Sequence, residues 1–201
     1  MFAKAPVAGG VKTRLAAVLG PSAAASLHAG LVRHALATAV QARVGPVSLW
    51  CSPDASHPFF ERCRDEFGVA LEAQRGADLG ERMLRAFEPA WAAGGRLLLI
   101  GSDCPALTGE HLARAAGALE AQDVVLVPAE DGGYVLVGVA RALPRLFEGI
   151  AWGGAAVMAQ TRERLAQLRA RWEELPALWD VDRPEDYARL RREGLLAEVL
   201  S

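Results

Sequence analysis

Short apolar runs of strand length alternate with amphipathic stretches of helical length along almost the whole chain. Residues 47–51, 69–73, 96–101, 124–128 and 134–139 read as strands. Between them, residues 22–41, 56–67, 79–93, about 108–121 and 154–171 read as helices, and the tail from 184 to 200 as two more short ones. Ser56 is the expected N-cap of the helix at 56–67, and Leu79, Met83, Leu84, Phe87 and Trp91 are expected to share one face of the helix at 79–93. Strands alternating with helices of this length need a mainly parallel sheet covered on both faces, because a parallel crossover requires an intervening helix. Glu130-Asp131-Gly132-Gly133 lies between two apolar runs and is a hairpin signal, so one strand pair is expected to be antiparallel. The expectation is an α/β protein of three α/β/α layers around a mixed sheet. No repeat or low-complexity segment interrupts it, so residues 1–201 read as one domain.

The totals exclude several classes. With 52% hydrophobic and 23% charged residues the chain is globular in composition. Its apolar runs are too short to span a bilayer, and no signal peptide opens it. Cys51, Cys63 and Cys104 are odd in number and lack CxxC spacing, which fits a reducing, cytoplasmic setting and no structural zinc. A net charge of −2 disfavours a general nucleic-acid surface.

Of the 22 basic residues only Lys4 and Lys12 are lysines, and both lie in the opening segment. That segment, Lys4-Ala5-Pro6-Val7-Ala8-Gly9-Gly10-Val11-Lys12-Thr13-Arg14-Leu15, joins glycines to three cations ahead of a helix. Glycines admit close backbone approach, and consecutive amides at a helix start attract anions, so a di- or triphosphate suits it. It is not a Walker A loop, and a merely solvated surface loop explains the pattern equally well.

Three acidic motifs follow. Gly101-Ser102-Asp103-Cys104-Pro105 succeeds the strongest strand, where ligands of open parallel sheets bind, and a carboxylate there suits Mg²⁺ or Mn²⁺. Asp103 could instead satisfy only its own loop. Asp131 is either an ordinary turn residue or an acceptor ligand or general base. Asp180 and Asp182 share a face if their stretch is extended, though Asp182 could simply cap the helix that Pro184 begins. His28, His34, His57 and His111 form no metal pattern and read as packing or surface residues.

Taken in order, KAPVAGGVKTRL, QRGADLGERM, GSDCPAL, EDGGYVLVG and LWDVDRPEDYARL resemble the bacterial family of unknown-function domain 2064 over nearly the whole chain. The resemblance implies a nucleotide-diphospho-sugar transferase (GT-A) fold, with arsenosugar-biosynthesis-type glycosyltransferases among its members. Molybdenum-cofactor and phospholactate guanylyltransferases are relatives. By this resemblance Lys4, Pro6, Gly9, Gly10, Lys12, Thr13 and Arg14 form the nucleotide loop, and Gln74, Gly76 and Asp78 a second ligand-facing loop. Asp103, Asp180 and Asp182 would hold Mg²⁺ or Mn²⁺, with Lys12, Arg14 and Asp131 catalytic. The implied activity is metal-dependent glycosyl transfer from a nucleotide-sugar to a small acceptor. Nucleotidyl transfer to a phosphorylated small molecule and a non-catalytic nucleotide-binding role are the alternatives. The chain departs from the family twice. The apolar run that forms the first strand in the family is here only Met1-Phe2-Ala3, either a truncated strand or a start set too late, and the segment Trp152-Gly153-Gly154-Ala155 carries no hydroxyl.

Overall fold

The computed structural model describes residues 1–200, which fall into two compact units interleaved in sequence. The first unit comprises Met1–Ala73, Gly101–Gly109 and the C-terminal segment from Trp179. The second comprises Gln74–Ile100 and Glu110–Leu178.

In the first unit β1 (Phe2–Lys4), β2 (Ser48–Ser52) and β3 (Ala70–Ala73) form a parallel sheet in the order β1-β2-β3. β1 is as short as the opening residues imply, yet each of its residues pairs with β2, Phe2 opposite Trp50 and Lys4 opposite Ser52. Helices α1 (Thr13–Leu19), α2 (Pro21–Gln41), α3 (Pro58–Phe67), α7 (Pro184–Arg192) and α8 (Leu196–Leu200) belong to the same unit. Leu15, Leu27, Leu31, Trp179, Val181 and Leu190 close its core. Gly30 is required there, since a Cβ at that position would lie 2.2 Å from the Val199 carbonyl oxygen and hold α2 away from α8. Ser56 does not cap α3 as its sequence suggested. Its hydroxyl is taken by Asp54 at 2.6 Å, and His57 is the N-cap, its Nδ1 accepting from the Phe59 amide at 3.2 Å.

The second unit is built on the sheet order β4-β6-β5-β7, from β4 (Leu97–Ile100), β5 (Val124–Pro128), β6 (Tyr134–Val139) and β7 (Trp172–Glu174). β6 runs antiparallel to β5, as the diglycine turn between them predicts, and also to β4, while β7 is parallel to β5. β7 was not foreseen, because Trp-Glu-Glu has neither an apolar run nor alternation. Helix α4 (Leu79–Ala92) buries Met83, Ala86 and Phe87, but Leu79 at its first turn is largely exposed rather than on the packed face. Helices α5 (Gly109–Ala118) and α6 (Val157–Gln167) are each shorter than the sequence suggests.

Candidate active site

The opening loop leaves β1 through Ala5, whose amide donates to the Ser52 carbonyl, and closes a turn in which Gly10 N–H donates to Val7 C=O at 2.9 Å. Gly9 adopts a positive φ of 79° with open space where a side chain would stand, so a ligand can approach the backbone there closely. Pro6 is half-buried, while Gly9, Gly10, Thr13 and Arg14 are exposed. The helix that follows runs for only seven residues. A dipole contribution from this helix is therefore small, and the charge at this end of the loop resides in its side chains.

Lys12 is the unusual residue. It stands at the N-cap of α1 with φ 48° and ψ 42°, the left-handed conformation that L-residues avoid. Its side chain is only 3% exposed, yet Nζ makes no well-aligned hydrogen bond. The ammonium instead sits 2.9 Å from Asp103 Oδ2 as an ion pair. A glycine would relieve the backbone and an apolar side chain would relieve the burial, so both features cost stability. Such costs persist where function requires the group.

Asp103 lies three residues past β4 in a segment belonging to the first unit, and its side chain remains 42% exposed. Its Oδ1 accepts from the Ser102 hydroxyl at 3.1 Å and lies 3.6 Å from His28 Nδ1. Packing around the carboxyl would raise its pKa, but the Lys12 charge and the facing His28 outweigh this and hold it well below the usual carboxylate range. His28 was assigned no role from sequence, because a single histidine in an amphipathic helix carries no pattern. The structure puts it at the centre of the site.

The late acidic motif joins the same cluster. Val181 N–H donates to the Asp103 carbonyl at 2.8 Å, so the segment bearing Asp180 and Asp182 runs beside Asp103. Asp182 does not cap α7. Asp186 reaches back to accept from the Asp182 and Arg183 amides at 3.1 and 2.7 Å, which frees the Asp182 carboxylate to pair with Arg14. Asp180 is half-buried, and its charge adds to burial in pushing the Cys104 thiol up to about 12. That thiol is too weak an acid to serve as a nucleophile near neutral pH.

The remaining predicted residues belong to the second unit. Asp78 is exposed and caps α4, its Oδ1 accepting from Glu81 N–H at 2.8 Å, while Glu81 returns the bond to the Ala77 amide. Gly76, at φ 148°, leaves no room for a Cβ, which would lie 2.8 Å from the Arg82 amide nitrogen. Gln74 is half-buried just beyond β3. Asp131 accepts from Gly133 N–H at 2.9 Å and shapes the diglycine turn.

Among the described residues no three histidine, cysteine, aspartate or glutamate side chains converge on one point. Asp103 and Asp182 nevertheless have the donor chemistry of a site for a hard cation that takes one or two protein carboxylates and completes its shell with phosphate oxygens and water. Both carboxylates are open to solvent, at 42% and 44% exposure.

Comparison with known proteins places the chain in a family. The model of the family described as uncharacterized protein conserved in bacteria (DUF2064) matches residues 35–154. The chain belongs to the DUF2064 family. It is also similar to a crystal structure described as a "putative nucleotide-diphospho-sugar transferase" from Desulfovibrio desulfuricans G20. The two share 32% identity over 98% of this chain and 95% of the other, with a TM-score of 0.83. That likeness establishes the nucleotide-diphospho-sugar transferase fold for this DUF2064 protein. A more distant structure, CMP:2-keto-3-deoxy-manno-octonic acid synthetase complexed with CTP, shares the fold at 14% identity and a TM-score of 0.56. The match covers 82% of this chain and 87% of that one. No curated protein matches the sequence significantly. No helix among the described residues is long and apolar enough to cross a membrane.

Proposed function

We propose that this DUF2064 protein is a metal-dependent glycosyltransferase that takes a nucleotide-sugar donor. The observation that carries the reading is Lys12, a buried ammonium held in a left-handed backbone against Asp103. A strained, buried cation facing an open carboxylate has little value to the fold and direct value to a phosphate-handling site. The similarity to a nucleotide-diphospho-sugar transferase over nearly the whole chain supports the donor class.

In this reading Asp103 and Asp182 would hold Mg²⁺ or Mn²⁺, which supplies neutralisation of the diphosphate leaving group when bound. Lys12 turns from Asp103 towards the phosphates, and Arg14 turns likewise from Asp182. Lys4, exposed at the carboxyl end of β1, adds a third cation, and the exposed turn at Gly9 lets phosphate oxygens approach the backbone closely. Gln74, Gly76 and Asp78 would contribute on the nucleotide side, and Asp131 would orient or deprotonate the acceptor hydroxyl.

A thermal-shift series tests this directly, with nucleoside triphosphates and nucleotide-sugars each with and without Mg²⁺ or Mn²⁺. The expected result is stabilisation by a nucleotide-sugar with metal, lost in Asp103→Ala while that variant still melts cooperatively. Stabilisation by a triphosphate and by no nucleotide-sugar would replace glycosyl transfer with nucleotidyl transfer. A protein that responds to neither would not be a nucleotide enzyme.

A further inference from the structure

Both polar atoms of the His28 ring are directed at groups of the site. The side chain is 4% exposed and projects from the first half of α2. Nε2 lies 3.0 Å from the Lys4 carbonyl oxygen, which can only accept, so Nε2 carries a proton. The other nitrogen, Nδ1, is buried without a hydrogen-bond partner and lies 3.6 Å from Asp103 Oδ1, within ion-pair reach when the ring carries both protons. One ring thus joins the last residue of β1 to the open carboxylate.

We propose that His28 is a positioning residue of the nucleotide site, fixing the Asp103 carboxylate and the start of the opening loop in their ligand-receiving arrangement. The proposal rests on the phosphate-handling reading given above. Two side chains face Asp103, Lys12 as a cation and His28 as one when its ring carries both protons, and they differ in freedom. Lys12 stands on the glycine-bearing loop and ends in a flexible stem, so it can leave Asp103 for a phosphate. His28 is anchored in α2, packed on all sides and tied to Lys4, so it stays. When Lys12 turns to the ligand, His28 and the Ser102 hydroxyl keep Asp103 from reorienting. Groups that orient a ligating carboxylate typically change metal affinity by about 10- to 100-fold when removed.

Isosteric variants separate the two halves of this role. Gln places its amide nitrogen near the Nε2 position and keeps the bond to Lys4, whereas Asn reaches only the Nδ1 position facing Asp103. His28→Phe keeps the bulk and neither polar atom. In the thermal-shift series, His28→Phe and His28→Gln are expected to need about tenfold more metal than the parent protein for the same nucleotide-dependent shift, with His28→Asn staying close to it. Equal metal requirement in all four proteins, with the parent responding normally, overturns the positioning role and leaves the nucleotide reading intact. A ligand-free measurement stands beside this one. In a ¹⁵N-resolved imidazole spectrum of the parent protein, His28 should carry its proton on Nε2, and its resonances should move in Asp103→Asn but not in Arg14→Gln. A bare Nε2, or resonances indifferent to Asp103, overturns the proposal whatever the ligand results.

Discussion

Replacing Lys12 by methionine should leave the fold nearly as stable as before and remove its response to nucleotide. The ammonium lies 2.9 Å from Asp103 Oδ2. At an effective dielectric of about 20 that separation corresponds to roughly 6 kcal/mol of attraction. Against it stands the desolvation of a side chain only 3% exposed, several kcal/mol for an ion taken from water. Nearly equal opposing terms leave a net contribution close to zero. The partner is not stranded by the change, because Asp103 is 42% exposed and can hydrate, with Ser102 and His28 still beside it. The expected loss is therefore below about 1 kcal/mol, which for a chain of this size is about 2–4 °C in Tm.

Lys12→Gly sharpens the argument. It removes the same charge and also the left-handed penalty at φ 48°, but it empties the space of a side chain only 3% exposed, so it should melt below the methionine variant by the cavity cost less the backbone relief. Meanwhile a ligand at about 100 times its Kd stabilises the parent protein by about 2.7 kcal/mol, and that increment should vanish in both variants. Differential scanning fluorimetry with and without nucleotide-sugar and metal reads both quantities. A loss above about 3 kcal/mol in Lys12→Met with the ligand shift retained would show that the pair is structural and refute the reasoning.

Asp123 should govern acid stability. Hydrogen bonds from Arg141 and from the Arg171 amide hold its carboxyl down at about 2. Its stabilisation is therefore complete above the unfolded carboxylate pKa and is lost as pH falls through about 2. Asp123→Asn should flatten the stability profile between about pH 4 and 2 and cost about 1 kcal/mol at pH 7, since the Arg141 partner is half exposed and screened. Unfolding curves across that range would check it. Gly132→Ala should destabilise by about 2–4 kcal/mol, because φ is 94° and the added Cβ would lie 2.3 Å from the Ala155 carbonyl oxygen; chemical denaturation measures this. Burial pushes the thiols of Cys51 and Cys63 up to about 12 and 11, as it does Cys104. None should react with a thiol reagent at pH 8 faster than the protein opens, a rate that stopped-flow absorbance reports.

Much of the fold was legible because apolar period is a local property. Residues 124–128 and 134–139 emerge as β5 and β6 at the expected positions, and Asp131-Gly132 makes the antiparallel turn that its residue types demand. The position of Asp103 just past β4 follows from the apolar run that precedes it. What escaped was set by distant contacts. β7 exists because Trp172–Glu174 pairs with β5, and nothing in Trp-Glu-Glu announces that. Capping was the bland alternative for Asp182 because it precedes Pro184, and it is Asp186, reaching back from the first turn of α7, that does the capping. His28 looked like packing because its partners, Lys4 and Asp103, are 24 and 75 residues away in sequence.

The pairing of charges in the first unit has a consequence for how ligands enter. Two of the side chains expected to grip phosphate are matched to carboxylates expected to grip metal, Lys12 to Asp103 and Arg14 to Asp182. A diphosphate arriving alone would draw the cations away and leave two carboxylates facing an anion. A divalent cation arriving alone would take the carboxylates and leave Lys12, buried and unpaired. Only the two together satisfy every charge, so each should strengthen the binding of the other by the same factor. Titration calorimetry should therefore find nucleotide affinity raised by more than about tenfold at saturating Mg²⁺ or Mn²⁺, a coupling of at least about 1.4 kcal/mol. The coupling should shrink in Arg14→Gln, where Asp182 is already unpaired before metal binds. Equal nucleotide affinity with and without metal would mean that the two ion pairs stay closed in the bound state, and that other groups hold the phosphates.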